Sequence, residues 1–138
     1  MLNRDDQLTL NLIYLEIISS VTSIIGLILF ILASNVAKDM ILSSNNGQRN
    51  FRPSLNPDIT TLVARSFLVI SGVIVVGTVT TRLIQRNQQV LRNEPIQGTL
   101  IPITYITLGS WISLFGALIA IVGDYKRVQE TPSSIPIY

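Results

Sequence analysis

The sequence predicts an all-α integral membrane protein with three transmembrane helices, and three observations carry that reading. Of 138 residues, 48% are hydrophobic and 13% charged, too little charge to keep a surface of this size in water. The charges avoid residues 17–37, 66–81 and 95–123 altogether and crowd between these stretches or at their edges. Crossing roughly 30 Å of hydrocarbon takes about 20 apolar residues of helix, which the first and third stretches supply unaided. A single membrane domain follows: a helix over about 10–37, a loop over 38–58, a helix over about 59–84, a loop over 85–97, a helix over about 98–125 and a tail over 126–138.

The first stretch has a signal peptide as its rival reading. Its apolar run exceeds the usual length of such a segment, and Arg4, Asp5 and Asp6 precede it where a basic run would be needed, so a retained span is expected. A stripe in steps of three and four runs through Glu16, Ser19, Ser23 and Gly26 and on to Phe30, Ala33 and Ala37, with Ser20 widening its polar start. The loop that follows, from Ser43 to Asp58, is rich in turn formers and has no hydrophobic period.

The second stretch reaches a full span only if it begins near Ile59 and admits Arg65, close enough to the helix end to reach the headgroups. Its β-branched run from Val69 to Val76 would favour a strand in water. In lipid a run apolar on both faces reads as helix, because an unclosed strand leaves its backbone unpaired in hydrocarbon. Gly72, Gly77, Ser71 and Thr78 lie here without forming a clean small-residue stripe. The second loop is short and polar, and Asn93-Glu94-Pro95 is expected to open the third helix.

The third stretch carries the most informative pattern. Gly109, Ser113, Gly116, Ala120 and Gly123 follow steps of four and three, so one stripe of this helix is small throughout. Such a stripe lets two backbones approach closely, the kind of contact that holds helices together in lipid, and the step is that of a left-handed crossing. Thr104, Leu108, Trp111, Phe115, Leu118 and Val122 lie on the far side, facing lipid or a gap. The first helix has its stripe in the same register, so Ser19, Ser23 and Gly26 are expected to mate with the third-helix seam, within one chain or between copies.

Glu16 and Arg65 are ionisable groups near or inside the spans and count as functional candidates on that ground. Glu16 shares a leaflet with Arg82 and Arg86, and Arg65 shares the other with Asp124, Lys126 and Arg127. The expected pairs are Glu16 with Arg82 and Arg65 with Asp124, as interfacial charges that fix helix depth and tilt. Tyr14 and Tyr105 lie toward one face as interface anchors, Phe67 and Tyr125 toward the other. The positive-inside count nearly ties: Arg4, Arg82, Arg86 and Arg92 on the N-terminal side face Lys38, Arg49, Arg52, Lys126 and Arg127 on the other. Three arginines around the short second loop tip it toward a cytoplasmic N-terminus in a cell membrane.

Catalysis finds little to stand on. The chain has no His and no Cys, its acids are scattered, and it has neither a nucleophile motif nor a phosphate-cradling glycine loop. No enzyme activity, metal or cofactor is expected, and the juxtamembrane cations suit anionic headgroups better than nucleic acid. The expected partners are the bilayer and either the chain itself or other membrane subunits. The sequence therefore favours a structural or accessory subunit that assembles through its small-residue stripes. The alternative is an oligomeric ion channel or holin-like pore, with Glu16 and neighbouring hydroxyls at its mouth.

Overall fold

The computed structural model describes residues 4–45, 55–95 and 98–130, and the centre of the first loop and the tail from residue 131 lie outside them. Three helices, each long and apolar enough to cross a membrane, run in sequence: α1 (Arg4–Asn45), α2 (Pro57–Leu91) and α3 (Ile101–Glu130). The chain is a multi-pass, all-helical membrane protein. Most of each span's surface is apolar and uncovered, the arrangement expected when lipid is the solvent.

Every helix outruns the bilayer. The 42 residues of α1 extend about 63 Å at 1.5 Å per residue, against a hydrocarbon layer of roughly 30 Å. Charge exclusion marks where the chain leaves hydrocarbon, and the helix continues past that point. Residues 38–45 and 85–91, read as loop from their polarity, are therefore helical.

The ends of α2 show how local chemistry sets its limits. Asn56 is extended, and its side-chain oxygen accepts from the backbone N–H of Asp58 at 2.9 Å and of Ile59 at 3.4 Å. Pro57 occupies the first turn, where its missing N–H is no loss, and the Asp58 carboxylate favours the positive end of the helix dipole. At the other end the N–H groups of Arg92, Asn93 and Glu94 return to the carbonyls of Gln88, Val90 and Gln89, each at 3.0 Å. Asn93 takes a φ of 56°, the left-handed conformation that asparagine adopts more readily than most residues. The Asn93-Glu94-Pro95 segment thus closes α2 and does not open α3, which begins at Ile101 with Pro102 in its first turn.

α2 lies between the other two helices and packs on both, while no Cα of α1 comes within 8 Å of one in α3. Of the two settings left open for the mating of the α1 and α3 stripes, the one within a single chain is not formed. Two sequential antiparallel hairpins share α2 as their common arm, because short connections place neighbours in sequence side by side.

The face α1 buries is the stripe from Glu16 to Ala33. Ser19 and Ala33 are buried, and Gly26 brings the backbones so close that a Cβ there would meet the Ala64 carbonyl oxygen and a Leu68 methyl at 3.0 Å. The mating face of α2 is Ala64, Ser71 and Thr78, one residue every two turns, all buried. Ser71 Oγ donates to the Ser19 carbonyl at 3.0 Å, and its hydroxyl meets those of Ser19 and Ser23 at 2.8 and 2.6 Å. With no hydrophobic drive between helices in lipid, this close hydroxyl contact and the van der Waals fit around Gly26 hold the pair together.

Ser71→Ala is expected to weaken the fold by about 1 kcal/mol. Gly26→Leu is expected to weaken it by about 2–3 kcal/mol, because a side chain there meets backbone that cannot yield. Gly77→Leu, whose Cβ would enter open space, is expected to leave stability unchanged. Denaturation of the protein in bicelles, followed by helix content, checks all three.

Candidate functional site

The groups that carry chemistry gather along the two sides of α2. Arg65 sits on its first half, and its Nε donates to Asp124 Oδ2 of α3 at 2.9 Å. The same guanidinium lies 4.9 Å from the centre of the Phe30 ring on α1, so one cation bridges all three helices. At the opposite end of α2, Arg82 Nη2 donates to Glu16 Oε2 of α1 at 2.9 Å. The structure thus forms both pairs expected from the leaflet assignment.

A third pair, Asp58 with Arg127 at 2.9 Å, is absent from that expectation, and its carboxylate is 14% exposed. Its signal was available. Asp58 and Arg65 are seven residues apart and share a face of α2, while Asp124 and Arg127 are three apart and share a face of α3. Laid antiparallel, the two helices match opposite signs at both positions.

The ion pair also decides how α3 is rotated. Its buried positions are Ile103, Thr107 and Leu114, on the stripe that continues to Asp124. The Leu114 side chain reaches α2 at Gly72, where a Cβ would approach it to 3.3 Å, and the Thr107 hydroxyl reaches the Val79 carbonyl at 3.4 Å. The small seam lies one residue away around the helix, about 100° from this face. A Cβ at Gly109, Gly116 or Gly123 would meet nothing within 4 Å, so no helix of the chain closes on the glycines of the seam.

Part of the seam instead walls a groove of about 480 Å³ that opens between α1 and α3 over α2. Ser113, Gly116 and Ala120 form one side, Ser23 the other, and Leu68 and Gly72 contribute to the floor. Trp111 turns from the lipid-facing side of α3 toward α2, its indole N–H donating to Thr80 Oγ1 at 3.3 Å, and its ring lies 6.0 Å from that of Phe115.

The hydroxyls near Glu16 are already engaged. Ser19 and Ser23 bond to Ser71, and Ser20 donates back to the Glu16 carbonyl at 2.8 Å. Thr22, Ser66, Thr78, Thr81 and Ser110 each return to the carbonyl four residues earlier, which lets a hydroxyl sit in hydrocarbon without an outside partner. Among the described residues no three acidic side chains converge as metal ligands would. In comparison with known proteins, no family model, curated protein or solved structure matches this chain.

Removing the anion from the central pair leaves Arg65 charged beside hydrocarbon. Asp124→Asn is expected to destabilise the protein by about 1–3 kcal/mol, less than for a fully buried pair because both side chains keep some exposure. The exchange Arg65→Asp with Asp124→Arg is expected to recover part of that loss, although it forfeits the stack on Phe30. Denaturation midpoints of the variants and the exchange test this. Equal stability of Asp124→Asn and the parent would mean that the pair does not hold α3.

Proposed function

We propose that this chain is a non-catalytic membrane subunit that assembles, through the small-residue face of α3, into a homo-oligomer or a larger membrane complex. The observation that carries the reading is that Gly109, Gly116 and Gly123 lie along one helix and have nothing against them within the chain. Glycine within a helix is unfavourable by about 1 kcal/mol relative to alanine unless something uses its lack of a side chain. In lipid, the use that repays it is the approach of another helix backbone. Gly26 serves this purpose inside the chain, against α2, and the α3 glycines present the same chemistry outward.

A pore has less support. Its lumen would need polar groups continuing through the bilayer, whereas the Ser19 and Ser23 hydroxyls are taken up between α1 and α2 and Glu16 is held by Arg82. The proposed setting is a cell membrane with the N-terminus in the cytoplasm, because Arg82, Arg86 and Arg92 cluster at the end of α2 beside the start of α1.

Gentle extraction from the native membrane is expected to yield a discrete particle larger than one chain, either a homo-oligomer or a fixed-ratio complex with other membrane subunits. Gly116→Leu is expected to reduce it to the single chain while leaving helix content intact. An unchanged particle mass would rule out the α3 seam as the interface. Orientation is tested through the absence of native cysteine. Asn87→Cys in intact cells is expected to resist a membrane-impermeant maleimide and to react once the cells are opened, whereas prompt labelling of intact cells would invert the topology.

A further inference from the structure

Beside the Glu16 to Arg82 pair the three helices diverge and leave a cavity of about 670 Å³, bounded by the start of α1, the end of α2 and the start of α3. Its volume falls in the range of sites that hold a small molecule. Its depth is that of the headgroups, because it begins at the last charged pair of the spans and extends outward over about two turns of α2, from Arg82 to Gln89. Its lining has two zones. Leu12, Ile103 and Ile106 form an apolar wall, and Arg82, Arg86, Gln85 and Gln89 present guanidinium and amide donors from consecutive turns of α2. Asp6 of α1 contributes a carboxylate to the same cavity.

The charges in this cavity are unevenly spent. Arg82 is neutralised by Glu16, so what remains is Arg86, a cation, and Asp6, an anion. Neither has an ion pair among the described residues, although both line one space. A ligand matched to such a site carries an anion and a cation of its own, some distance apart, on an apolar body. Water alone would solvate the two charges but would not favour the apolar wall, and a second hydrophobic helix would leave Arg86 and Asp6 unpaired at its surface.

We propose that this cavity binds the headgroup of a zwitterionic glycerophospholipid, with Arg86 and the Gln85 and Gln89 amides on the phosphodiester and Asp6 on a primary ammonium. Guanidinium groups hold phosphate oxygens through paired, charge-assisted hydrogen bonds, and a carboxylate complements an alkylammonium. The glycerol and the first acyl carbons would lie along Leu12, Ile103 and Ile106. The inference rests on the chain sitting in a bilayer and not on the assembly reading above, so either can fail alone.

The test uses the full-length protein in nanodiscs of equal parts phosphatidylethanolamine and phosphatidylglycerol, with retained lipid measured by native mass spectrometry after mild detergent exchange. The parent is expected to retain phosphatidylethanolamine in preference to phosphatidylglycerol. Arg86→Gln is expected to lower retention of both by about tenfold, the loss of one charge-assisted contact. Asp6→Asn is expected to abolish the preference while leaving total retention unchanged. Equal retention of the two lipids by the parent overturns the proposal, as does retention by Arg86→Gln equal to the parent's. Inorganic phosphate at millimolar concentration is expected not to displace the lipid. Displacement would reassign the cavity to a soluble anion. Circular dichroism of each variant separates loss of a ligand from loss of the fold.

Discussion

A guanidinium inside the hydrocarbon end of a helix has to find an anion, and the position of Arg65 on the central helix makes that requirement govern the whole bundle. Asp124 answers it from α3, and the Phe30 ring on α1 covers the other side of the same cation. The pair sets how far α3 slides along α2 and how it is turned about its own axis. Asp58 and Arg127 repeat the match two turns along α2 with the signs exchanged, so a slipped antiparallel register would bring like charges together.

The two sides of α2 are held by different physics. Toward α1, Ser71 meets Ser19 and Ser23, and Gly26 allows backbone to approach backbone. This contact is short-ranged and demands that nothing larger intrude. Toward α3, ion pairs and single hydrogen bonds from Thr107 and Trp111 fasten helices that fit less closely. A face committed to ion pairs leaves the neighbouring small stripe of α3 uncovered. At the other leaflet Arg82 takes Glu16, and Arg86 and Asp6 line the neighbouring cavity with no ion pair among the described residues.

Much of this was legible in residue order. The stripe from Glu16 to Ala33 marks the face α1 buries, because small residues at steps of three and four have little reason to face lipid. The pairs Glu16 with Arg82 and Arg65 with Asp124 follow from depth alone, since charges near one leaflet reach only others of that leaflet. The matching face of α2 was not legible. Ala64, Ser71 and Thr78 recur every seven residues with Leu68 and Val75 between them, and a helix that packs on both sides shows no single clean stripe. The helix ends were misplaced for a related reason: polarity reports where water begins, whereas the end of a helix depends on a cap such as Asn56 or a left-handed residue such as Asn93.

By itself the sequence determined the number of helices, their membrane character, the inward face of α1 and the pairing of Glu16 with Arg82 and of Arg65 with Asp124. All of these depend on the order of residues along one helix and on the cost of placing charge in hydrocarbon. Only the tertiary structure decided that α1 and α3 each pack on α2 and not on each other, and that the glycines of the α3 seam meet nothing within the chain. Gly109 to Gly123 and the stripe ending at Asp124 have the same spacing, one residue apart, and local pattern cannot rank them. The ion pair ranks them, because it forms only when α3 presents Asp124 to Arg65 across the helix interface.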